Sequence, residues 1–369
     1  MRIVHVVRQF HPSVGGLEAV VMELAMAQLA QGHDIRIVTL DRLFGSNERL
    51  AATESVGGLD VVRIPFSGST RYPIAPSVLK FIKAADLVHV HAIDFFFDYL
   101  AWTKPFHRKP LVASTHGGFF HTAFAATLKR IYFNVITRLS AAWYDAIVAV
   151  SSADQDLFAK ISSKVVCIEN GVNIQRFLAA SADAPAKKII AVGRFSSNKR
   201  LDRLISFLAK MRARDPAWTL LIAGRRSDLT SDELASLAQT AGVGNAVTIV
   251  DSPADDALRG IMQSCSVIAS SSEYEGFGLT AVEGMAAGLF PLLSDIPPFR
   301  HLVSRTGVGI LVDFSNPDEA ATNFLRRWEQ VKDSYPSLRA AAIESARIYD
   351  WSSVAASYDR LYEQVLRTR

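Results

Sequence analysis

MRIVHVVRQFHPSVGGLEAVVMELAMAQLAQGHDIRIVTL, residues 1–40, decides the fold class of this chain. Residues 2–7 and 35–40 are apolar, β-branched runs of strand length. Between them, a glycine-containing loop leads into a stretch that predicts an amphipathic helix, because its apolar residues recur at helical spacing: Leu17, Val20, Val21 and Leu24. A strand–loop–helix–strand unit of this kind is typical of a parallel sheet covered by helices.

The same alternation recurs along the chain in two blocks. Residues 179–188, which are rich in Ala, Ser, Asp and Pro, interrupt the periodicity between the blocks. The strand-like runs that alternate with helical stretches are residues 87–91, 111–114 and 146–150 before this segment, and 189–192, 219–223, 247–250 and 267–270 after it. We therefore predict an α/β fold of two Rossmann-like, doubly wound domains that face each other across a cleft.

The length of 369 residues also favours two domains, because a single core rarely grows so large. We place the first domain at residues 1–178 and the second at 179–345. The remaining stretch, 346–369, is helical in pattern, and we expect it to cross back to the first domain. A terminal helix that stays on its own domain is the alternative.

The net charge of +4 is unevenly distributed. Residues 1–180 contain 18 Lys and Arg against 14 Asp and Glu, whereas residues 181–369 contain 22 of each. This excess is too diffuse for a nucleic-acid-binding protein, but it suits a surface that faces phosphate groups or anionic lipid. We therefore expect no nucleic-acid partner.

The two cysteines, Cys167 and Cys265, do not have the spacing of a zinc site or a redox dithiol. We expect both thiols to be reduced and buried, as in a cytoplasmic protein. The N-terminal residues do not resemble a signal peptide, and no window reaches about 18 uncharged apolar residues. Secretion and membrane spanning are therefore not expected.

Two loops that follow strand-like runs contain glycines beside a predicted helix start. In the first, Gly15 and Gly16 would let backbone N–H groups approach an anion, although a simple tight turn is the alternative. In the second, EYEGFGLTAVE at residues 273–283, two carboxylates frame a helix N-terminus whose free amides could hold a phosphate. The amides that we expect to contribute lie around Phe277, Gly278 and Leu279.

Three further side chains follow strand-like runs and are candidates for the same chemistry. Arg194 and Lys199 would supply two cations for a diphosphate, in part replacing a divalent metal. His116 could hydrogen-bond a polar ligand from the first domain. Taken singly, Arg194 and Lys199 could equally be solvated surface charges.

We expect no metal ion and no cofactor. His89 and His91 point to one face of a strand, but the sequence offers no obvious third ligand. Asp154 and Asp156 have the spacing of an acidic pair that holds a divalent ion. However, they follow Ser151, so we interpret them as acids in the first turn of a capped helix.

Aromatic and basic residues interleave between residues 94 and 139. This composition is typical of an element that lies on a membrane, where each basic residue near anionic lipid adds about 1 kcal/mol. Burial of the aromatics in a core is the alternative. The residues that we predict for this face are Phe95, Phe96, Phe97, Trp102, Lys129 and Arg130.

Together, these features resemble the retaining GT-B glycosyltransferases of family four. The resemblance rests on the Gly15-Gly16 loop, on Arg194 with Lys199, and on two glutamates separated by seven residues, Glu275 and Glu283. It implies that the donor diphosphate binds Arg194 and Lys199, the nucleotide ribose binds Glu283, the transferred sugar contacts Glu275, and sugar hydroxyls near the reacting carbon contact His116. The resemblance implies no metal.

Four segments resemble, more narrowly, the mannosyltransferases of xanthan- and acetan-type exopolysaccharide assembly: residues 5–12, 71–76, 114–121 and 294–299. That resemblance implies GDP-mannose as donor and cellobiosyl-diphosphopolyprenol as acceptor, with the protein peripheral on the inner face of the cell membrane. Many members of the wider family have a Glu after Pro298, where this chain has Arg300 and His301.

Three alternatives remain open from the sequence. The chain could use another nucleotide sugar or another glycan acceptor. It could be a nucleotide-sugar epimerase of the same fold, which acts on the donor alone. It could also be a non-catalytic, two-lobed sugar-binding protein, although such proteins are usually exported.

Overall fold

The computed structural model describes residues 1–13, 15–44, 48–70, 72–116, 131–275 and 277–368. The chain divides into two compact units, which we call the first unit and the second unit. The first unit contains Met1–Gly171 together with Trp351–Arg369, and the second contains Val172–Asp350. Each unit is described by itself.

The first unit is built on an eight-stranded sheet in the order β10-β9-β8-β7-β1-β2-β4-β3. All neighbours pair in parallel except β3, which runs antiparallel to β4. A separate antiparallel hairpin joins β5 to β6. The strands are β1 Arg2–Val6, β2 Asp34–Leu40, β3 Thr53–Val56, β4 Leu59–Ile64, β5 Ser67–Ser69, β6 Tyr72–Ile74, β7 Leu87–His91, β8 Leu111–Ser114, β9 Ala146–Ala149 and β10 Val165–Cys167.

Helices cover both faces of this sheet and bury one apolar cluster on each side. Along the first part of the chain they are α1 Gly16–Ala30, α2 Val78–Phe81, α3 Phe95–Trp102, α4 Lys104–His107, α5 Arg138–Ala141, which continues a π-helical turn at Phe133–Thr137, and α6 Ser152–Phe158.

The second unit has a six-stranded, fully parallel sheet in the order β13-β12-β11-β14-β15-β16. Its strands are β11 Lys188–Val192, β12 Thr219–Gly224, β13 Val247–Asp251, β14 Val267–Ser270, β15 Phe290–Ser294 and β16 Ile310–Val312. Its helices are α7 Leu201–Arg212, α8 Ser231–Thr240, α9 Asp255–Met262, α10 Leu279–Ala287, α11 Pro297–Thr306, α12 Pro317–Val331 and α13 Tyr335–Ala346.

The last helix, α14 at Trp351–Arg367, returns to the first unit. Its apolar face packs into the cluster that also contains residues of α1 and β1. Two tyrosines on this face reach polar groups of the sheet: Tyr362 Oη lies 2.7 Å from His89 Nδ1, and Tyr358 Oη lies 3.1 Å from Ser114 Oγ. The C-terminal stretch therefore completes the first unit's core.

The predicted fold class, two Rossmann-like α/β units, is confirmed. The predicted boundaries require correction by several residues. We placed the first boundary after residue 178, but the second unit begins at Val172, whose N–H donates to Tyr349 O at 2.7 Å. Residues 179–182 do not form a linker, because their amides bond to the second unit's backbone, as Ser181 N does to Ala287 O at 2.7 Å.

One predicted thiol is also different from our expectation. Cys265 is buried, as predicted, and the local apolar environment raises the pKa of its thiol to about 11. Cys167 is exposed, because it lies at the end of the edge strand β10, where one side of the sheet has no neighbour. Among the described residues, every helix is too short or too polar to span a lipid bilayer.

Candidate active site

The second unit's sheet reverses its strand order between β11 and β14, so the loops after these two strands lie at a topological switch point. Hydrogen bonds join the two loops. Glu273 N–H donates to Asn198 O at 2.9 Å, and Ser271 Oγ–H donates to Lys199 O at 2.8 Å. A cavity opens between them and is lined by Gly193, Arg194, Lys199 and the serines at positions 270–272. The two predicted cations therefore line one cavity.

Glycines at the ends of β11 and β12 let the backbone close tightly beneath this cavity. A Cβ on Gly224 would lie 1.7 Å from Gly193 O, so no side chain fits there. Gly193 also has a φ of 146°. The Lys199 side chain lies beside it, since Lys199 Cε would be 3.4 Å from a Cβ added to Gly193. The small residue at 193 therefore lets Lys199 lie across the strand end.

Lys199 and Glu275 form an ion pair at the cavity. Lys199 Nζ lies 2.5 Å from Glu275 Oε1, which also accepts a hydrogen bond from Ser272 Oγ at 2.7 Å. Both side chains are mostly buried, so the pair is held rather than freely solvated. Arg194, by contrast, is exposed at the cavity rim. An anion that entered the cavity would compete with Glu275 for the ammonium group of Lys199.

The helix α10 begins at this site with an open N-terminus. Gly278 precedes it with a left-handed φ of 91°, and no side chain of the described residues caps the helix. A Cβ on Gly278 would lie 2.5 Å from Phe299 Cε1, so buried Phe299 requires glycine there. Uncapped amides with the positive end of the helix dipole form an anion site. Phe277 packs edge-on against Tyr349, and Leu279 is exposed.

Glu283 lies in the second turn of α10 and is mostly buried. Burial raises the pKa of its carboxyl group, and the nearby Arg176 guanidinium lowers it in part. Arg176 Nη1 is 3.5 Å from Glu283 Oε1, and the same guanidinium pairs with Asp255. The Glu283 carboxylate is mostly buried beside the Arg176 guanidinium. Its oxygens are therefore suited to accept hydrogen bonds from ligand hydroxyl groups.

In the first unit, Gly15 and Gly16 start α1 in the loop after β1, as predicted. Gly15 is the N-cap residue in an extended conformation and offers no side-chain cap. A Cβ on Gly16 would meet nothing within 4 Å, so the space beside its Cα is open. The neighbouring loop is held by Ser13 Oγ–H, which donates to Glu18 Oε1 at 3.3 Å.

His116 follows β8 with a left-handed φ of 50° and is partly exposed. Its Nε2 lies 3.0 Å from His91 Nδ1, and the desolvation of the ring lowers its pKa to about 4. The ring is therefore neutral near pH 7. Thr115, the residue before it, donates to Asp154 Oδ2 at 2.7 Å. Ser151 Oγ accepts from Asp154 N, so the predicted N-cap at this position is confirmed.

Our statement that His89 and His91 lack a third metal ligand was wrong. His5, on the neighbouring strand β1, places a ring nitrogen within 4.8 Å of theirs. The signal was present in the sequence as a histidine inside the apolar run of residues 2–7, but strand pairing was needed to bring the three rings together. The absence of a metal cofactor stays a prediction.

Half of the predicted membrane face is wrong. Phe95, Phe96 and Phe97 are buried in the first unit's core, because α3 packs against the sheet and its Asp98 carboxylate is held from inside by Ser140 Oγ at 2.6 Å. Trp102, at the end of the same helix, is 49% exposed. Lys129 and Arg130 lie outside the described residues.

The sequence did not identify several residues of the site. Arg176 and Asp255 surround Glu283, but they are far from it along the chain, so no spacing connects them. Phe299, which fixes the start of α10, belonged to a segment that we had used only for the resemblance. Gln28 contacts His5 from α1. Arg176, Asp255, Phe299 and Gln28 can be identified as site residues only from the contacts between elements in the folded chain.

Two doubly wound units, with cations and helix amides at the second unit's switch point, are the architecture of the GT-B glycosyltransferases. Residues 14–176 match the model of Glycosyltransferase Family 4, and residues 177–347 match that of Glycosyl transferases group 1. The chain belongs to glycosyltransferase family 4 and is a glycosyltransferase, which confirms the family and the enzyme class that the sequence predicted.

The similarity extends over nearly the whole chain. The GDP-mannose:cellobiosyl-diphosphopolyprenol alpha-mannosyltransferase of Komagataeibacter xylinus is 45% identical, over 99% of this chain and 94% of the relative. The protein of the same description from Xanthomonas campestris is 44% identical, over 100% of this chain and 98% of the relative. Among solved structures, Anabaena HepE in complex with UDP has a TM-score of 0.76 at 18% identity, with 99% of this chain and 100% of that chain covered. That structure supports the fold alone.

Proposed function

We propose that this chain transfers an α-mannosyl residue from GDP-mannose to cellobiosyl-diphosphopolyprenol, with retention of configuration, during assembly of an exopolysaccharide repeat unit. The observation that carries the proposal is the identity of 43–45% to mannosyltransferases of this description over nearly the full length. The cavity of the second unit supports it, because it combines two cationic side chains with open helix amides.

In this proposal the donor diphosphate binds Arg194, Lys199 and the amides at Gly278 and Leu279. Lys199 exchanges its contact with Glu275 for the phosphate, which leaves the carboxylate of Glu275 to accept hydrogen bonds from the mannose hydroxyls. Glu283 accepts hydrogen bonds from the ribose of the nucleotide. Two cations near the departing charge stabilise the transition state without a resident metal ion.

The chemical step breaks the bond between mannose C1 and the phosphate oxygen and forms a bond between C1 and an acceptor oxygen on the same face. The proton of the acceptor hydroxyl passes to the leaving phosphate oxygen, so the products are GDP and the mannosylated lipid. His116 and the backbone at Gly16 contact the transferred sugar from the first unit. Protein groups bind and orient the reactants, and they form no covalent bond to the sugar.

The test is a transfer assay with the full chain, GDP-mannose and a synthetic cellobiosyl-diphosphate lipid. We expect a mannosylated product whose new linkage is α by NMR, and little product from UDP-glucose or UDP-N-acetylglucosamine. Efficient transfer from a uridine-linked sugar would contradict the donor assignment. Conversion of GDP-mannose to an epimer in the absence of lipid would instead identify an epimerase.

The same assay tests independence from a metal. We expect turnover to persist after treatment with EDTA, because Arg194 and Lys199 supply the positive charge. A complete loss that Mg²⁺ or Mn²⁺ restores would contradict this part of the proposal. Turnover is also measured with added Zn²⁺, because three clustered imidazoles of the first unit could hold a metal ion.

We further propose that the chain binds the inner face of the cell membrane through an apolar surface of the first unit, which we call the exposed apolar patch. Half of the exposed large apolar side chains of the described residues belong to one stretch of 42 residues: Trp102, Phe106, Ile131, Val135, Leu139 and Trp143. Ile131, Val135 and Leu139 recur every fourth residue of one helical stretch, and the basic residue Arg138 lies between the last two. This combination suits an anionic lipid surface.

Vesicle sedimentation tests this surface. Phe106 is 85% exposed, and its burial in lipid would contribute about 2 kcal/mol. We expect Phe106→Ser to weaken binding to vesicles that contain phosphatidylglycerol by at least about tenfold. Ile348→Ser, at an exposed apolar position of the second unit, is the matched control and should bind like the wild type. Equal binding by all three proteins would exclude the exposed apolar patch as the membrane surface.

A further inference from the structure

A chain of hydrogen bonds runs through the core of the first unit and ends at His116. Gln28 Oε1 lies 2.8 Å from His5 Nε2, and His5 Nδ1 lies 2.9 Å from His91 Nε2. His91 Nδ1 then lies 3.0 Å from His116 Nε2. Gln28, His5 and His91 are buried, so water cannot substitute for the contacts among these three residues. We call these four residues the histidine relay.

The sheet register builds the relay. His5 on β1 pairs with His89 on β7, and His91 lies two residues further along β7 on the same face. Gln28 reaches this face from α1, and His116 reaches it from the loop after β8. Four separate elements therefore converge on one polar line inside an apolar core.

The position of the proton on each imidazole ring determines which residue donates to which along the relay. Burial lowers the pKa of His5 to about 4 and that of His91 well below its ordinary value, so each ring is neutral and carries one N–H. Gln28 Oε1 accepts, so His5 carries its proton on Nε2 and accepts at Nδ1. His91 must then donate from Nε2 and accept at Nδ1, and His116 must donate from Nε2.

His89 lies beside the relay and has its own partners. Its Nδ1 lies 2.7 Å from Tyr362 Oη, and its Nε2 lies 2.8 Å from Ser114 Oγ. Gln28 faces His5 with Oε1, whereas its Nε2 is buried and has no hydrogen-bond partner among the described residues. The order of the relay therefore rests on the Gln28 oxygen, which can only accept.

A metal ion would have to displace these bonds. His5, His89 and His91 bring ring nitrogens within 4.8 Å of one another. However, both nitrogens of each ring already have a hydrogen-bond partner in the described part of the chain. The arrangement is therefore satisfied by protons, and a cation would leave Gln28 or His116 without its partner.

We propose that Gln28, His5 and His91 are positioning residues that fix His116 as the Nε2–H tautomer, with the Nδ1 lone pair left to accept a hydrogen bond from a hydroxyl of the transferred sugar. The assignment of the sugar rests on the proposed function, whereas the tautomer does not. Held in this form, His116 acts as a hydrogen-bond acceptor at Nδ1 and does not serve as a proton donor from that atom.

The first test needs no substrate. In the full chain with ¹⁵N-labelled histidine, long-range ¹⁵N–¹H NMR spectra distinguish protonated from unprotonated ring nitrogens. We expect His116 Nδ1 to be unprotonated, and its Nε2–H proton to exchange slowly with water near pH 7. A His116 ring that is protonated on Nδ1, or that exchanges its N–H as fast as an exposed histidine, would overturn the proposal.

The second test uses a matched pair of variants at His91. In His91→Gln, the amide oxygen can accept from His116 while the amide N–H donates to His5, so the direction of the relay is kept. In His91→Leu both bonds are lost. We expect kcat for mannosyl transfer to fall by about tenfold or more in His91→Leu, with a smaller change in KM, and to recover to within a few-fold in His91→Gln.

The control is His89→Leu, which removes an equally buried imidazole of the same cluster outside the relay. It should lower the melting temperature as His91→Leu does, but it should keep the slowly exchanging His116 proton. Equal kcat in His91→Leu and wild type would refute the positioning role. If the wild type does not transfer mannose while its spectrum shows the expected tautomer, the proposed function fails and the relay stands.

Discussion

At the scale of single residues, Lys199 is the side chain on which the proposed donor site most depends. It bridges the two loops of the switch point and faces both Glu275 and the cavity. We predict that Lys199→Met lowers kcat/KM by about a thousandfold, or about 4 kcal/mol of barrier, because the leaving diphosphate loses a fixed cation.

The control for this substitution is Lys210→Met, on the exposed side of α7 in the same unit. It should change kcat/KM by less than about twofold, and both variants should unfold at similar temperatures. A rate for Lys199→Met within about tenfold of the wild type would remove this lysine from the phosphate site.

Single side chains could be located from the sequence where they follow a strand-like run, but not where composition was the only signal. Arg194 and Lys199 could be selected because each follows a strand-like run, and the structure places both at one cavity. The triplet at positions 95–97 was misassigned, since a run of aromatics has the same composition in a core and on a membrane surface. Only the packing of α3 on the sheet distinguishes these two environments.

At the scale of elements, α10 is held against β14 by a glycine. A Cβ on Gly284 would lie 2.7 Å from Cβ, Cγ1 and Cγ2 of Ile268, which is closer than packed carbon atoms approach. We predict that Gly284→Ala lowers the free energy of unfolding by about 1–3 kcal/mol, because the helix must move away from the strand. Glu283, the preceding residue, would move with it, so donor affinity should fall as well.

Gly260, in helix α9, has room for a side chain, whereas Gly284 has none. An added Cβ there meets nothing within 4 Å, and the residue is exposed. Gly260→Ala should stabilise the protein by about 0.5–1 kcal/mol, because alanine restricts the unfolded chain. Urea unfolding of both variants measures the contrast, and a destabilised Gly260→Ala would contradict it.

The attachment of α14 to the first unit depends on polar contacts as well as on its apolar face. Tyr362→Phe removes the hydroxyl that lies 2.7 Å from His89 Nδ1 and leaves that buried nitrogen without this hydrogen bond. We predict a loss of about 1–3 kcal/mol in the free energy of unfolding. Glu363→Gln, at an exposed position of the same helix, should change it by less than about 0.5 kcal/mol in urea denaturation. Similar losses in both variants would contradict the role of the Tyr362 hydroxyl.

At the scale of the whole molecule, the order of strands could be anticipated better than the limits of the units. Nine predicted strand runs correspond to parallel strands within a residue or two, because buried parallel strands are continuous apolar runs. The strands without a predicted run are β3, β4, β5, β6, β10, β15 and β16. The sequences of β3 and β5 are short and exposed and have no apolar pattern, whereas β4 and β15 are buried apolar runs that were missed. The unit boundary depends on long-range amide bonds, such as Val172 to Tyr349, which no local pattern reports.

Buried ionisable groups of the first unit also set how its stability depends on pH. Burial lowers the pKa of His5 and of His116 to about 4, and those of His89 and His91 well below the ordinary value. Between about pH 6.5 and 4 the unfolded chain therefore binds protons that the native histidines do not. The contribution of these histidines to the free energy of unfolding is fully present above pH 6.5 and is lost as the pH falls from 6.5 to 4. For His5 alone the loss is about 3 kcal/mol.

Asp94 acts in the opposite direction. Its burial raises the pKa of the carboxyl group to about 6 despite Arg8, so the native state holds a proton that the unfolded state has released. As the pH falls from 6 to about 4, protonation of Asp94 increases the free energy of unfolding by about 3 kcal/mol. This gain offsets the loss from one buried histidine but not the losses from all four. We therefore predict that the urea midpoint of the wild type falls steadily from pH 7 to pH 4.

The variant His5→Gln isolates one contribution, because an amide can accept from His91 and donate to Gln28 without titrating. Its urea midpoint should fall less steeply between pH 6.5 and 4, with a slope that is smaller by up to one proton. His11→Gln, at an exposed position of the same unit, is the matched control for the removal of a histidine ring. If His5→Gln and the wild type have the same slope, His5 is not a buried neutral base, and the proton order of the histidine relay would need to be reassigned.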